Sequence, residues 1–314
     1  MRRKVIQIAE STQLISLPRK WAVQNNVKKG DELEVTEQGN KILISTEENQ
    51  DQILKTEIDI TGLDRDSLIF LIRGLYIRGY DEIRLIFKTP LIAHHYKSKE
   101  VKVFSVIHGE INRSTGLEII EQKSNFCVLK NLSGNSIKEF NNILRRTFLL
   151  IIDAVNDLIE GTKKKDYFLV ETLEEKHDTI TKLILYNLRM LNTIGHNNYK
   201  DTCLLFHMIS SLDMIIDILK NSAREVLEMK ITLSKKGETI LTAIHESIKE
   251  YYDLYYHFDF KKVEKFSASR DKIIHSISKS SEEINVKEMR FLSKLEQCLE
   301  IFRNLYSFRI GIEY

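Results

Sequence analysis

DAVNDLIEGTKKKDYFLVETLEEKHDTI (residues 153–180) and ESIKEYYDLYYHFDFKKVEKFSASRDKI (residues 246–273) align without a gap. Acid falls on acid at Asp153/Glu246, Asp157/Glu250, Asp166/Asp259, Glu171/Glu264 and Asp178/Asp271, while Val170 meets Val263 and Ile180 meets Ile273. Identity is low, but the surrounding pattern agrees with a repeat. Pro18 and Pro90 are the only prolines, so nothing of that kind interrupts residues 91–314. Beyond residue 136, Gly161, Gly195, Gly237 and Gly311 are sparse punctuation between stretches of helical apolar period. This predicts helices near 137–160, 164–194, 200–231, 236–258, 261–281 and 285–309. Long helices with short connections make a bundle. The repeat divides residues 134–314 into two three-helix units, 134–233 and 234–314.

Outward from the bundle, residues 48–133 read as a mixed α/β connector. A strand at Glu57–Ile60 precedes a helix from the capping Asp64 to Arg78, closed by Gly79. A strand at Glu82–Phe87 follows, and Gly116–Glu121 with Phe126–Lys130 reads as a hairpin. Residues 90–113 carry no assignable signal. Residues 1–47 show strands at Lys4–Ile8, Leu14–Leu17, Glu32–Thr36 and Lys41–Ser45, the last two joined at Gln38-Gly39-Asn40, and Pro18 opens a short helix over 18–25. So small a set of elements makes a poor core alone, and pairing with a second copy is the natural remedy.

Composition narrows the class. The chain is 42% hydrophobic and 29% charged with a net charge of +2, which describes a folded globular protein. No apolar run approaches the ~18 residues of a membrane span, so no membrane insertion is expected. The start, MRRKVIQIAE, lacks the apolar stretch of a signal peptide. Cys127, Cys203 and Cys298 have no CxxC spacing, which fits a reducing cytoplasm and argues against a disulfide framework or a thiolate zinc site.

Acid pairs four residues apart are the first candidate site. They are Asp153/Asp157 and Glu246/Glu250 on the first helix of each unit, and Asp213/Asp217 and Glu296/Glu300 on the third. Such spacing stacks two carboxylates on one helix face. Where two faces meet, repulsion demands a cation or shared protons. Oxygen-rich clusters suit Mg, Mn, Ca or Fe. The same spacing also suits the solvated side of an amphipathic helix. His207, His245 and His257 receive no role, and Tyr251, Tyr252, Tyr255 and Tyr256 read as core packing or an interface. Without a nucleophile setting or a phosphate-cradling loop, the chain is not expected to be an enzyme. The second candidate is the basic start. Residues 1–30 carry seven Lys or Arg against Glu10 alone, and 31–60 carry nine acids against Lys41 and Lys55. Arg2, Arg3, Lys4, Arg19 and Lys20 are the candidate DNA contacts, although a solvated basic surface has the same pattern.

The stretch LISLPRKWAVQNNVKKGDELEVTEQGNKILI resembles the AbrB/MazE/SpoVT swapped-hairpin domain, through Leu17-Pro18, the 18–25 segment, Lys29-Gly30-Asp31 and the strands that follow. The resemblance implies that two chains interlock into a DNA-binding dimer. The chain has Gln13-Leu14 where many members carry Gly-Arg. Residues from about 136 resemble a PhoU domain, whose repeated units carry these acid pairs and whose members regulate phosphate uptake and can bind metal clusters. GLYIRGYDEI and TGLEIIEQ resemble the connector of archaeal proteins that fuse the two modules. Together the resemblances imply a multidomain, mainly α chain: a small swapped-hairpin β domain, an α/β connector and a PhoU-like pair of three-helix bundles. They imply a cytoplasmic, homodimeric transcriptional regulator of phosphate uptake. The implied cofactor is a divalent or trivalent metal (Fe, Zn, Mn, Mg or Ca) at Asp153, Asp157, Asp213, Asp217, Glu246, Glu250, Glu296 and Glu300. Phosphate transporter or signalling components are further partners. The alternative is an adaptor that docks on a phosphate transporter or kinase and uses the N-terminus only to dimerise.

Overall fold

The computed structural model describes residues 2–8, 12–38, 41–46, 53–133, 139–280 and 283–314. The turn expected at Gly39-Asn40, the helix boundaries expected at 137 and 281, and the segment borders at 47–48 and 134 lie outside them. The chain divides into two compact units, Met1–Ile53 and Leu54–Tyr314.

In the first unit, β1 (Val5–Ile8) pairs antiparallel with β2 (Thr12–Ile15), and β3 (Leu33–Gln38) pairs antiparallel with β4 (Lys41–Thr46). Between them α1 (Arg19–Gln24) follows Pro18, whose fixed φ of −62° suits a helix start. Each hairpin is a separate two-stranded sheet. None of the described residues of this unit is buried: Val5 is 60% and Ile42 66% exposed.

The second unit begins with a four-stranded sheet in the order β5-β6-β10-β9 (Lys55–Asp59, Glu82–Ile86, Phe126–Asn131, Leu117–Lys123). β5 and β6 are parallel, joined by α2 (Arg65–Arg78), whose N-terminus is capped by Asp64 accepting from the Ser67 amide. Residues 90–113, unreadable in the sequence, form the hairpin β7 (Leu91–His94)/β8 (Lys99–Lys102) and α3 (Val103–Ile111). Strands of four residues flanked by a short turn leave too few periods to detect. The apolar faces of α2, α3 and the sheet share one core, which also takes in Leu185 from the bundle.

The bundle is mainly as expected, with α4 (Phe140–Lys164), α6 (Leu173–Thr193) and α7 (Asp201–Met229) in the first half and α8 (Lys235–Tyr256), α9 (Phe260–Lys279) and α10 (Val286–Asn304) in the second. The helix expected over 164–194 is interrupted. Lys165 ends α4 at a left-handed φ of 57°, and Asp166 then caps a one-turn helix, α5 (Tyr167–Glu171), by accepting from the Leu169 amide. The helix expected over 285–309 is likewise two: α10 stops where buried Leu305 intervenes, and α11 (Tyr306–Glu313) follows. Contrary to the expectation of no long apolar segment, α7 is long and apolar enough to cross a membrane, yet one face of it (Leu205, Met208, Leu212, Ile216) lies in the bundle core. Phe148 on α4 packs against Tyr251 and Tyr255 on α8, joining the halves, so the tyrosine patch is core packing. At the start of α8 the carboxylate of Glu288 on α10 accepts both the amide and the hydroxyl of Ser234 at 2.8 Å. A Cβ at Gly237 would lie 1.8 Å from that carboxylate, so a larger residue there would push Glu288 off Ser234.

The connector is tied to the bundle by Arg189 of α6, which is 1% exposed. Its guanidinium donates to the carbonyls of Tyr76 (2.7 Å), Tyr80 (3.0 Å) and Gly79 (3.3 Å) and to Asp81 (3.0 Å). These acceptors lie at and just beyond the end of α2, where the helix dipole favours a cation. Gly79 turns the chain there at φ 100°. Arg189→Ala would strip the carbonyls of Gly79 and Tyr80 and one oxygen of Asp81 of their donor, while the other Asp81 oxygen keeps the Leu54 amide. The expected loss is about 3–5 kcal/mol of unfolding free energy, measured by urea denaturation.

Candidate functional site

The five candidate DNA contacts all lie in the first unit. Arg2, Arg3 and Lys4 immediately precede β1, and Arg19 and Lys20 form the first turn of α1; all five are exposed. No ion pair involves them among the described residues, so their charge is available to solvent or a ligand.

The acid pairs are placed differently. Asp153 and Asp157 on α4 share one ammonium: Lys176 of α6 lies 2.5 Å from Asp153 Oδ2 and also bonds Asp157. On α7, Asp213 accepts from the Thr181 hydroxyl at 3.2 Å, and Asp217 bonds Lys220 and, at 3.0 Å, His177 Nε2. The other ring nitrogen of His177 meets Asp178 at 2.9 Å, and Asp178 accepts both arms of Arg113 from the connector at 2.8 and 3.0 Å. Arg113 also faces Glu110, a fully buried carboxylate held by Arg73 Nε at 2.5 Å. A continuous polar chain therefore runs from α2 and α3 into the first bundle half.

The second half repeats this device with other residues. Arg270 occupies the position that the repeat assigns to His177, and its Nε donates to Glu300 at 2.5 Å, as His177 meets Asp217. Arg303, three residues after Glu300, matches Lys220, three after Asp217. The leading acids of the two pairs also behave alike. Burial, then the charge of Asp217, raises the carboxyl of Asp213; burial, then Glu300, raises that of Glu296. On α8, Glu246 pairs with Lys249 at 2.9 Å and Glu250 with Lys265 at 3.0 Å.

Seven of the eight acids are thus met by side chains of this protein. Among the described residues no three His, Cys, Asp or Glu side chains gather to hold a metal ion. In the first half the residues present do not fit a metal centre in this arrangement, since an ion would have to displace Lys176 and Lys220. Lys176, His177, Lys220, Arg270 and the connector's Arg113 do not stand out by spacing in the sequence. The signal for two of them was in the repeat, which sets His177 over Arg270 one residue before the aligned Asp178 and Asp271.

Burial alone would lower the pKa of His177, and Lys220 acts the same way; the hydrogen bonds to Asp178 and Asp217 prevail and raise it. Burial would lift Asp178, but its bonds to His177 and Arg113 hold it at about 2. The imidazolium is therefore favoured in the folded state. Its contribution to stability is complete below the unfolded value near ~6.5 and is lost as pH rises through the higher folded value. His177→Gln is expected to destabilise the protein more at about pH 5.5 than at about pH 8.5, read from denaturation midpoints of the variant and the wild type.

Comparison with known proteins adds to each part. Residues 6–51 match the MazE antitoxin family, described as antidote-toxin recognition MazE, bacterial antitoxin. No curated protein sequence matches the chain. Among solved structures, a PhoU-like phosphate regulatory protein from Shewanella oneidensis MR-1 is similar at 11% identity with a TM-score of 0.38, covering 55% of this chain and 97% of that one. A second PhoU-like protein from the same organism gives 13% identity and a TM-score of 0.35, covering 55% and 95%. The amino-terminal segment is thus similar to MazE antitoxins and is followed by a mainly helical bundle.

Proposed function

We propose that this chain is a cytoplasmic, DNA-binding transcriptional regulator that acts as a homodimer through residues 1–53 and receives its input through the helical bundle. The observation that carries the reading is the first unit. It matches the MazE family, exposes five cations that form no ion pair among the described residues, and leaves every described apolar side chain outside a core. Isolated two-stranded hairpins are marginal in water, and a second copy supplies the missing surface. Two copies bring ten of these cations together, enough for several phosphate contacts. Regulation of phosphate uptake is the finer assignment, supported by the resemblance of the repeated acid-pair bundle to PhoU domains. In this reading the bundle regulates and does not catalyse.

Ile15 is 54% exposed in the single chain and belongs to the surface expected at the dimer seam. Ile15→Asp is expected to shift the protein from dimer to monomer in analytical ultracentrifugation, with the helical circular dichroism of the bundle retained. Arg19→Ala together with Lys20→Ala removes four cations per dimer. Each phosphate that is no longer neutralised changes the slope of log K against log salt by about 0.9, so the slope should shrink by about 3 to 4. A dimer whose DNA affinity and salt slope are untouched by this change is instead the adaptor.

A further inference from the structure

The two bundle halves differ at one place that the repeat makes easy to see. In the first half the cleft between α4 and α6 is filled by Lys176, whose ammonium bridges Asp153 and Asp157. The equivalent cleft in the second half, between α8 and α9, is a cavity of about 250 Å³. The gapless alignment, carried three residues further each way, accounts for it. Leu150, Lys176 and Leu183 in the first half correspond to Ala243, Ser269 and Ser276 in the second, and all three of the smaller residues line the cavity. Three long side chains have been shortened along one cleft, while both carboxylates, Glu246 and Glu250, are kept in its wall.

Those carboxylates are incompletely satisfied. Among the described residues, Glu250 Oε1 takes Lys265, but Oε2 is buried without a hydrogen-bond partner, which costs free energy for a charged group. Among the same residues Glu246 has only the exposed Lys249, a pair of the kind that is weak in water. Lys236 also lines the cavity, but ten residues before Glu246 on α8, or about 15 Å along the helix axis. Lys272 lies on the cavity's exposed rim. The floor is apolar, with Ile240, Ala243 and Ile273.

We propose that this cleft binds an aliphatic primary ammonium group, with an alkyl stem about the length of a lysine side chain. The first half shows the geometry: two acids four residues apart on the first helix clamp an ammonium while its methylene stem fills the groove. Where the first half supplies that group from its own chain, the second half takes it from outside. The bound chain lays its methylenes on Ile240, Ala243 and Ile273 and gives the unpartnered Glu250 oxygen a donor. The site is independent of DNA binding, so the two readings can fail separately.

The test uses the full-length protein and n-pentylamine at neutral pH, with 1-pentanol as the neutral control, followed by isothermal titration and thermal shift. Saturable binding of the amine, with the alcohol at least tenfold weaker, is expected. Glu246→Gln with Glu250→Gln should weaken amine binding at least tenfold. Ser269→Lys, which supplies the ammonium from within, should abolish binding and raise the melting temperature; if it fails to fold, Ala243→Leu fills the same groove. Equal binding of amine and alcohol, no saturable amine binding, or unchanged affinity in the folded filled-cleft variant would overturn the proposal. Comparison of n-pentylamine with Nα-acetyl-lysine amide separates the two sources, tighter binding of the former marking a free amine and of the latter a peptide-borne lysine.

Discussion

A helix that ends inside a protein leaves carbonyl oxygens that must find donors, and at the end of α2 most of those donors come from α6: Asn192 serves Ile77 and Arg189 serves three others. Arg189 reaches across from α6 to the carbonyls of Tyr76, Gly79 and Tyr80 and to Asp81, and it lies within cation–π distance of the Tyr76 ring, 5.1 Å from its centroid. Much of the large unit depends on this contact. It ties the βαβ element to α6, whose Leu185 lies in the connector's core, and Arg113 just after α3 makes a second tie to Asp178 of the same helix. A connector joined in this way is an extension of the bundle's first half.

The acid pairs have a shared electrostatic logic. In each third helix the trailing carboxylate is claimed by a base from the middle helix, His177 in one half and Arg270 in the other. The leading one, Asp213 or Glu296, is pushed toward its neutral form by burial and by the charge of its own partner. Two carboxylates on adjacent turns do not both keep full charge at low cost, and the fold resolves this by treating them unequally. The halves differ in reversibility: an imidazole changes charge near neutral pH, whereas a guanidinium does not.

The bundle was legible in the sequence because its helices are long and its apolar period is sustained, and the repeat marked the division into halves. The bounds of α2 were equally clear, since the Asp64 side chain caps its start and Gly79, free to take a left-handed backbone, closes its end. The hairpin β7–β8 and α3 were invisible for lack of length, and the breaks at Lys165 and Leu305 because neither residue is a usual helix breaker. In the sites, the acids could be found by spacing. Their partners could not, because Lys176, Arg113 and Arg189 act across tens of residues and look like ordinary surface cations in one dimension. Reading the repeat for its differences, and not only its matches, is what separates Lys176 from Ser269.

The carboxylate that Glu288 places over the start of α8 joins residues 54 positions apart. Ser234 by itself caps only the Gly237 amide, at 3.1 Å, and its own amide waits for a group that arrives with α10. The opening helix of the second half is thus completed by its closing one, and the loop-closure entropy is lost before either end is stable. Because α10 also shares the single core that runs through both halves, losing the Glu288 carboxylate would loosen the start of α8 from a position near the far end of the chain.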